Sequence, residues 1–145
     1  MIELERWSID TNVLVYATDP DAPRAKREIA KQLITRLTLS PHASLVGQVL
    51  NEYMNVVLRK NAMSHAQAFD ALSLLSQAAD VLDTSRQAYA QAWKLVAQHK
   101  YQVWDALIIA ICADRGIRIL YSEDAGSLKR PLGVRVINPF LVKAK

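Results

Sequence analysis

The chain has 145 residues, of which 51% are hydrophobic and 22% charged, and this favours one soluble globular domain with a sizeable core. Its 18 Lys and Arg residues against 14 Asp and Glu residues give a net charge of +4, an excess that permits a polyanionic partner without requiring one. A single cysteine, Cys112, excludes an intrachain disulfide and a cysteine-based metal site, and it is expected to be a small buried hydrophobe.

The amino-terminal segment, residues 1–5, carries acids where a signal peptide carries a basic end. No apolar run in the chain is long enough to span a bilayer. We therefore expect a cytoplasmic protein without a membrane contact, in which residues 1–145 form one domain.

The segment 7–17 is mainly apolar and is interrupted by Asp10, Thr11 and Asn12. Burying a carboxylate is costly unless a positive group or hydrogen-bond donors compensate it. No Lys or Arg lies between Trp7 and Thr18, which leaves a distant cation, backbone donors or a metal ion. We predict a short strand ending at Ile9 and then a helix, so that Asp10 lies where open α/β sheets place their ligands. The alternative is that Asp10 or Thr11 only caps that helix.

An amphipathic helix is predicted from Arg24 to Leu37, with an apolar stripe formed by Ala25, Ile29, Leu33 and Leu37. The basic residues in the range 24–36 lie largely on the opposite face. Such a face is able to follow a phosphate backbone, although a solvated surface is the simpler interpretation.

A short strand is predicted at 42–46 and a helix at 47–58. On that helix Glu52 shares the core-facing stripe with Val49, Tyr53 and Val56, at a position where packing alone would favour an aliphatic residue. The alternative is that Glu52 lies at the edge of the stripe and reaches solvent.

The middle of the chain predicts structure but no chemistry. Ser64 and Gln67 form the pattern of a capping box, and the helix that follows has an apolar stripe of Phe69, Leu72 and Leu75. A small strand at 81–82 and a helix capped by Thr84 or Ser85 come next.

A nearly all-apolar helix is predicted from about Val103 to Gly116, and such a helix should be buried. Asp105, in its first turn, shares a face with Ile108, Ile109 and Cys112. A carboxylate on this apolar face is hard to explain by packing. The dipole of the buried helix helps to keep it ionised. The alternative is a charge at the start of the helix that points to water.

A strand is predicted at 118–121 and is followed directly by Ser122 and Asp124, and 134–139 is predicted to be a last strand. Ser122 and Asp124 again lie just past the carboxyl end of a strand, although an ordinary polar turn would use the same residues. Strands separated by helices predict a three-layer α/β/α fold with a short, mainly parallel central sheet.

In such a fold Asp10, Glu52, Asp105 and Asp124 converge at one edge of the sheet. Four carboxylates without a cationic partner repel each other, and oxygen ligands without His or Cys suit a hard ion such as Mg²⁺ or Mn²⁺. Ions of this kind clamp phosphates and activate water. The residues therefore predict metal-dependent phosphoryl transfer or a nuclease.

Five motifs follow one another in register along nearly the whole chain: Ile9 to Tyr16, Gln48 to Tyr53, Trp104 to Ile108, Leu120 to Asp124 and Val136 to Phe140. In their order and spacing the chain resembles a PIN-domain ribonuclease, and it is most similar to the small VapC-type toxins of bacterial toxin–antitoxin pairs.

The resemblance implies that Asp10, Glu52, Asp105 and Asp124 are the catalytic residues and the ligands of Mg²⁺ or Mn²⁺. It implies that Thr11, Asn12 and Ser122 support these acids. The implied reaction is attack of metal-activated water on a phosphodiester of single-stranded RNA. A homodimer and a cognate antitoxin protein are implied as well.

Two departures from the family pattern stand out. Val46 and Gly47 stand where relatives often open the Glu52 helix with Ser or Thr, which predicts a weaker cap and a less firmly placed Glu52. The loop 125–131 also departs from the pattern, so an RNA contact by Lys129 or Arg130 stays open.

Two other classes of protein remain open at this point. The first is a non-catalytic RNA- or partner-binding module. The second is a phosphatase of the haloacid-dehalogenase kind, against which Asn12 counts because it occupies the place of the second acid of the Asp-x-Asp motif.

Overall fold

Five short strands and six helices alternate along the chain in the computed structural model, which describes residues 5–124, 126 and 128–141. The strands are β1 (Trp7–Ile9), β2 (Leu45–Val46), β3 (Val81–Leu82), β4 (Ile119–Tyr121) and β5 (Arg135–Ile137). The helices are α1 (Thr11–Thr18), α2 (Arg24–Leu39), α3 (Gly47–Arg59), α4 (His65–Ala78), α5 (Arg86–His99) and α6 (Val103–Asp114), and a 3₁₀ turn covers Pro131–Gly133. No helix in this part of the chain combines the length and the apolar character that crossing a membrane requires.

All the strand pairs are parallel within the described residues. The order β1-β4-β5 forms one sheet and β2-β3 a second, and a single bridge between Trp7 and Ala43 joins β1 to β2. The spatial order is therefore β3-β2-β1-β4-β5, with helices on both faces. The predicted three-layer α/β/α fold is confirmed, and the paired strands prove to be wholly parallel.

The strand register places the ends of β1 and β4 side by side. Ile9 pairs with Tyr121, and the backbone N–H of Asp10 donates to the carbonyl of Tyr121 (2.9 Å). The residues that follow the two strands, Asp10 and Ser122, therefore start at the same edge of the sheet. This register is what brings the amino-terminal and carboxyl-terminal motifs together.

The most buried helix is α6. Its residues from Ala106 to Cys112 are all buried, and Gly116, at φ +76°, follows the helix end as predicted. Cys112 is buried, which confirms its role as a small core residue, and burial raises the pKa of its thiol. The buried part of α6, from Ala106 to Cys112, anchors the first turn that carries Asp105, although Val103 and Trp104 in that turn are exposed.

The predicted helical stripes need two corrections. On α4, Phe69 is 64% exposed and Ala68 is the buried residue, while Leu72 is only partly buried. Neighbouring residues of a helix point about 100° apart, so burying Ala68 turns Phe69 outward. On α2 the buried stripe begins later than predicted, because Ala25 is exposed and Ala30 is buried.

The predicted caps are confirmed in part. The side chains of Ser64 and Gln67 form the capping box of α4, and Ser85 rather than Thr84 caps α5. Val46 precedes α3 without a side-chain cap, as the sequence predicts.

Candidate active site

A cavity of about 350 Å³ opens at the sheet edge where β1 and β4 end. All four predicted acids line it, and each comes from a different part of the fold. Asp10 follows β1, Glu52 lies on α3, Asp105 lies in the first turn of α6, and Asp124 follows β4. We call this the acid cavity. Its other lining residues are Thr11, Asn12, Val15, Tyr16, Val56, Arg59 and Lys60.

Asp10 is the most buried of the four acids, at 7% exposure. One carboxylate oxygen accepts from the backbone N–H of Thr11 (2.7 Å) and the other from the hydroxyl of Ser122 (2.7 Å). Burial raises the pKa of Asp10, the two hydrogen bonds oppose that rise, and the charge of Asp124 adds to it. Asp10 is thus both the cap of α1 and part of the acid cavity, so the two interpretations of this residue are compatible.

Glu52 is half-buried on α3. The hydroxyl of Thr11 donates to its Oε2 at 2.7 Å, across 41 residues of sequence. Burial raises the pKa of Glu52, and the charges of Asp10 and Asp105 add to the rise. The missing cap at Val46 therefore does not leave Glu52 loosely placed, because Thr11 holds its carboxylate directly.

The carboxyl of Asp105 is also perturbed by the fold. Its pKa is raised from 3.8 to about 6, first by burial and then by the charges of Asp10 and Asp124. The partial positive charge at the start of α6 favours the ionised form but does not cancel these effects. Asp124 itself is exposed. Asp105 does not simply point to water, since it faces two other carboxylates.

The hydroxyl of Ser122 connects three parts of the site. Ser122 is fully buried, and its proton is best placed for Asp10 because that contact is the shortest it makes. The same oxygen accepts from the backbone N–H of Asp124 (3.1 Å) and from the amide of Asn12 (3.3 Å). Asn12 also accepts from the backbone N–H of Glu123 (3.3 Å). Ser122 and Asn12 thus fix the segment 122–124 against the start of α1.

A second group of residues, which the sequence reasoning missed, holds the same segment from outside. Glu123 accepts from the ammonium of Lys26 (2.6 Å) and from the hydroxyl of Tyr16 (2.6 Å). These two donors, with Lys26 the stronger, lower the pKa of Glu123. The ring of Tyr16 packs edge-on against Phe140, with centroids 5.0 Å apart. Lys26 lies on the basic face of α2 that was predicted to be solvated, and no local sequence signal pairs it with a residue 97 positions away.

The acid cavity is also lined by two cations that the sequence did not predict as site residues, Arg59 and Lys60. Within the described part of the chain, none of the four acids forms an ion pair with them or with another cation. In the part of the chain that the structure describes, the four acids therefore have no paired protein cation. Burial is the main cause that raises the pKa of Asp10, Glu52 and Asp105, and repulsion by neighbouring acids adds to it.

The donor set suits a hard divalent ion, because carboxylate and hydroxyl oxygens line the acid cavity together with the carboxamide of Asn12. Among the residues that the structure describes, however, no three His, Cys, Asp or Glu side chains already stand as a group that could hold a metal ion. This arrangement is compatible with Mg²⁺, which keeps several waters and is usually bound by one or two carboxylates. It does not resemble a cage of protein ligands closed around the ion.

The loop 125–131 is described only in part, since residues 125 and 127 lie outside the described residues. Lys129 and Arg130 are exposed, and neither is among the residues that line the acid cavity.

Comparison with known proteins identifies the fold. The model of the PIN domain family matches residues 8–131. No curated protein matches the chain. The solved structure of Mycobacterium tuberculosis VapC20, a sarcin-ricin loop cleaving toxin, is 23% identical with a TM-score of 0.66, and the match covers 81% of this chain and 89% of that one.

Two solved complexes have the same fold. A toxin–antitoxin complex from Klebsiella pneumoniae contains a chain that is 19% identical, with a TM-score of 0.65 and coverage of 91% of this chain and 96% of that one. DNA-bound VapBC from Salmonella typhimurium contains one that is 15% identical, with a TM-score of 0.65 and coverage of 92% and 97%.

Proposed function

Because this chain belongs to the PIN domain family, we propose that it is a metal-dependent endoribonuclease that cuts single-stranded RNA and acts as the toxin of a toxin–antitoxin pair. The observation that carries the proposal is the acid cavity, where four carboxylates from distant parts of the chain meet and none of them is paired with a cation among the described residues. A stable fold tolerates such repulsion when a bound cation relieves it.

Asp10, Glu52, Asp105 and Asp124 are the residues that would hold Mg²⁺ or Mn²⁺. When bound, such an ion supplies positive charge for a phosphate oxygen and lowers the pKa of water so that it can attack phosphorus. The protein contributes fixed positions for the acids. Ser122 holds Asp10 and Thr11 holds Glu52 through hydrogen bonds of 2.7 Å each, which leaves the remaining oxygen lone pairs for a cation.

Arg59 and Lys60 give the acid cavity a positive end next to its negative one. A nucleic-acid strand needs both, since the reacting phosphate must approach carboxylates while neighbouring phosphates are neutralised by protein cations. The net charge of +4 favours the same class of substrate.

The proposed partners follow from the structural neighbours, of which one is described as part of a toxin–antitoxin complex and another as a VapBC pair. We extend this to a cognate antitoxin for the present chain. A homodimer and a cytoplasmic location belong to the same proposal, the latter because the substrate is RNA.

The proposal is tested by incubating a mixed single-stranded RNA with the protein, freed of any co-purified partner, and Mg²⁺ or Mn²⁺. Wild type should cut the RNA, and both a chelator and the Asp105→Asn substitution should abolish cutting. Asp114→Asn is the matched control, because Asp114 is an exposed acid at the other end of the same helix. It should cut as wild type does.

A non-catalytic RNA- or partner-binding module is the second candidate. It is favoured by the absence of a ready metal-ligand group among the described residues. Wild type that binds RNA but cuts none with either metal, or Asp105→Asn protein that cuts as well as wild type, would contradict the nuclease and leave the binding module.

A further inference from the structure

A second cavity opens beside the acids, between α3 and the first turn of α6. Its volume is about 420 Å³, within the range of about 300–1,000 Å³ that is typical of small-ligand sites. Thr11 and Glu52 line both this cavity and the acid cavity. A group bound in this side cavity therefore lies next to a group held by the acids.

Trp104 forms one wall of the side cavity. Its side chain is 55% exposed, although it directly precedes the half-buried Asp105 in the first turn of α6. An indole this exposed contributes little to the core, so packing does not explain why a large apolar residue stands here. Its flat face is a surface on which a nucleobase of any kind can stack.

The other wall carries amides. Gln48, Asn51 and Asn55 line the side cavity from α3, and their spacing of three and four residues places them on one face of the helix. Asn51 and Asn55 are exposed. A carboxamide offers donors and an acceptor, as the edge of an unpaired base does.

A guanidinium completes the side cavity, since Arg59 lines it as well as the acid cavity. The lining therefore combines an aromatic plane, three amides and a cation, next to the acids proposed to act on a phosphodiester. Stacking, edge hydrogen bonds and phosphate neutralisation are the three ways in which proteins hold a nucleotide of a single strand.

We propose that the side cavity binds one nucleobase of the RNA, adjacent to the scissile phosphodiester, stacked on the indole of Trp104 with its edge facing Asn51 and Asn55. This inference rests on the proposed nuclease function and adds a substrate contact to it. It makes Trp104 a determinant of affinity, and it makes the two Asn residues determinants of which base precedes or follows the cut.

The first test is steady-state cleavage of single-stranded RNA by Trp104→Ala, Trp104→Phe and wild type. Loss of one stacked base is expected to lower kcat/KM by roughly tenfold to one hundredfold, mainly through a higher KM. Trp104→Phe should recover most of the loss because it keeps a flat ring. Trp93→Ala is the matched control, since Trp93 is a 63% exposed tryptophan on α5 and does not line either cavity.

The second test measures binding without cleavage, in the Asp105→Asn background. Fluorescence anisotropy compares an RNA oligomer with the same oligomer carrying one abasic nucleotide, placed at the position where a scan along the oligomer finds the largest loss of binding. Adding Trp104→Ala should weaken binding of the complete oligomer by roughly tenfold to one hundredfold and leave the abasic one nearly unchanged. An equal effect on both oligomers would contradict stacking.

The outcomes separate this proposal from the nuclease itself. If wild type cuts RNA and Trp104→Ala cuts it with the same KM, the base site is wrong and the nuclease stands. If wild type cuts nothing but the two oligomers still differ in binding as described, the nuclease is wrong and the base site stands. If Trp104→Ala acts on RNA as wild type does but no longer co-purifies with an antitoxin, the indole belongs to a protein interface and the proposal is overturned.

Discussion

Replacing Asp105 by Asn is expected to stabilise the metal-free protein at about pH 8, although the same change should abolish cleavage. The fold raises the pKa of this carboxyl from 3.8 to about 6 through burial and the charges of Asp10 and Asp124. A carboxyl with a raised pKa binds its proton more tightly in the folded than in the unfolded chain, so its ionised form lowers the free energy of unfolding. Asparagine removes that charge with little change of shape.

The magnitude follows from the pKa. A rise from 3.8 to about 6 corresponds to at most ~3 kcal/mol. Solvent screening at a half-buried carboxyl reduces this to about 1–2 kcal/mol. In a domain of this size, such a gain raises Tm by roughly 3–6 °C.

The pH dependence has a definite sign. The cost of the charge is present in full above pH 6, where Asp105 is ionised in both states, and it decreases as the pH falls from about 6 towards 3.8. Below that range the carboxyl is protonated in both states and the cost is gone. The gain in free energy of unfolding from Asp105→Asn should therefore be largest at about pH 8 and small near pH 3.8.

Thermal unfolding followed by circular dichroism, in the presence of a chelator, measures this difference. Asp70→Asn is the control for stability, because Asp70 is an exposed acid on α4, and it should melt close to wild type. Adding Mg²⁺ should raise the Tm of wild type and do much less for Asp105→Asn. If Asp105→Asn melts below wild type in chelator at pH 8, or if the difference does not change with pH, the charge of Asp105 does not destabilise the metal-free fold through burial and repulsion.

Three further predictions concern the same site. Ser122→Ala removes the hydroxyl that donates to Asp10, and urea denaturation should show a free energy of unfolding lowered by about 1–2 kcal/mol. The same change should weaken Mg²⁺ binding. An unchanged free energy of unfolding and an unchanged Mg²⁺ affinity would show that the hydroxyl is dispensable. Thr11→Val removes the hydroxyl that donates a hydrogen bond to Glu52 and should lower kcat/KM for RNA by about 10–100-fold. Thr11→Ser keeps the hydroxyl and should keep the wild-type kcat/KM. An equal loss in both variants would indicate that Thr11 acts through packing. The affinity of the metal-free protein for Mg²⁺ should rise with pH through about 6, because a proton on Asp105 competes with the cation, and an affinity that does not change between pH 5 and 7 would contradict this.

The sequence predicts the parts of this protein that depend on neighbouring residues. Local patterns of apolar, capping and turn residues predict three of these parts. They are the strand Trp7–Ile9 before Asp10, the capping box of Ser64 and the buried helix that ends before Gly116. Parallel strands separated by helices then place strand ends at one edge, so the common location of Asp10 and Asp124 follows from topology. Asp105 does not follow from this rule, because its helix α6 comes after α5 and not after a strand.

Local patterns fail where packing chooses between neighbouring residues. Phe69 fits the apolar stripe of α4 as well as Ala68 does, but close contact with the rest of the fold admits only the smaller side chain. The stripe on α2 shifts for a similar reason, since which side of a helix is covered depends on its neighbours.

What the sequence by itself determined is the fold class and the set of acids, because both depend on short-range patterns and on a general rule of parallel sheets. Only the tertiary structure decided how those acids are held. The hydrogen bonds from Thr11 to Glu52 and from Ser122 to Asp10, and the pairing of Lys26 with Glu123, join residues that are 41 to 112 positions apart. The side cavity beside Trp104 likewise exists only where α3 and α6 meet. A contact between distant residues has no local signal, because nothing in either segment depends on the other until the chain has folded.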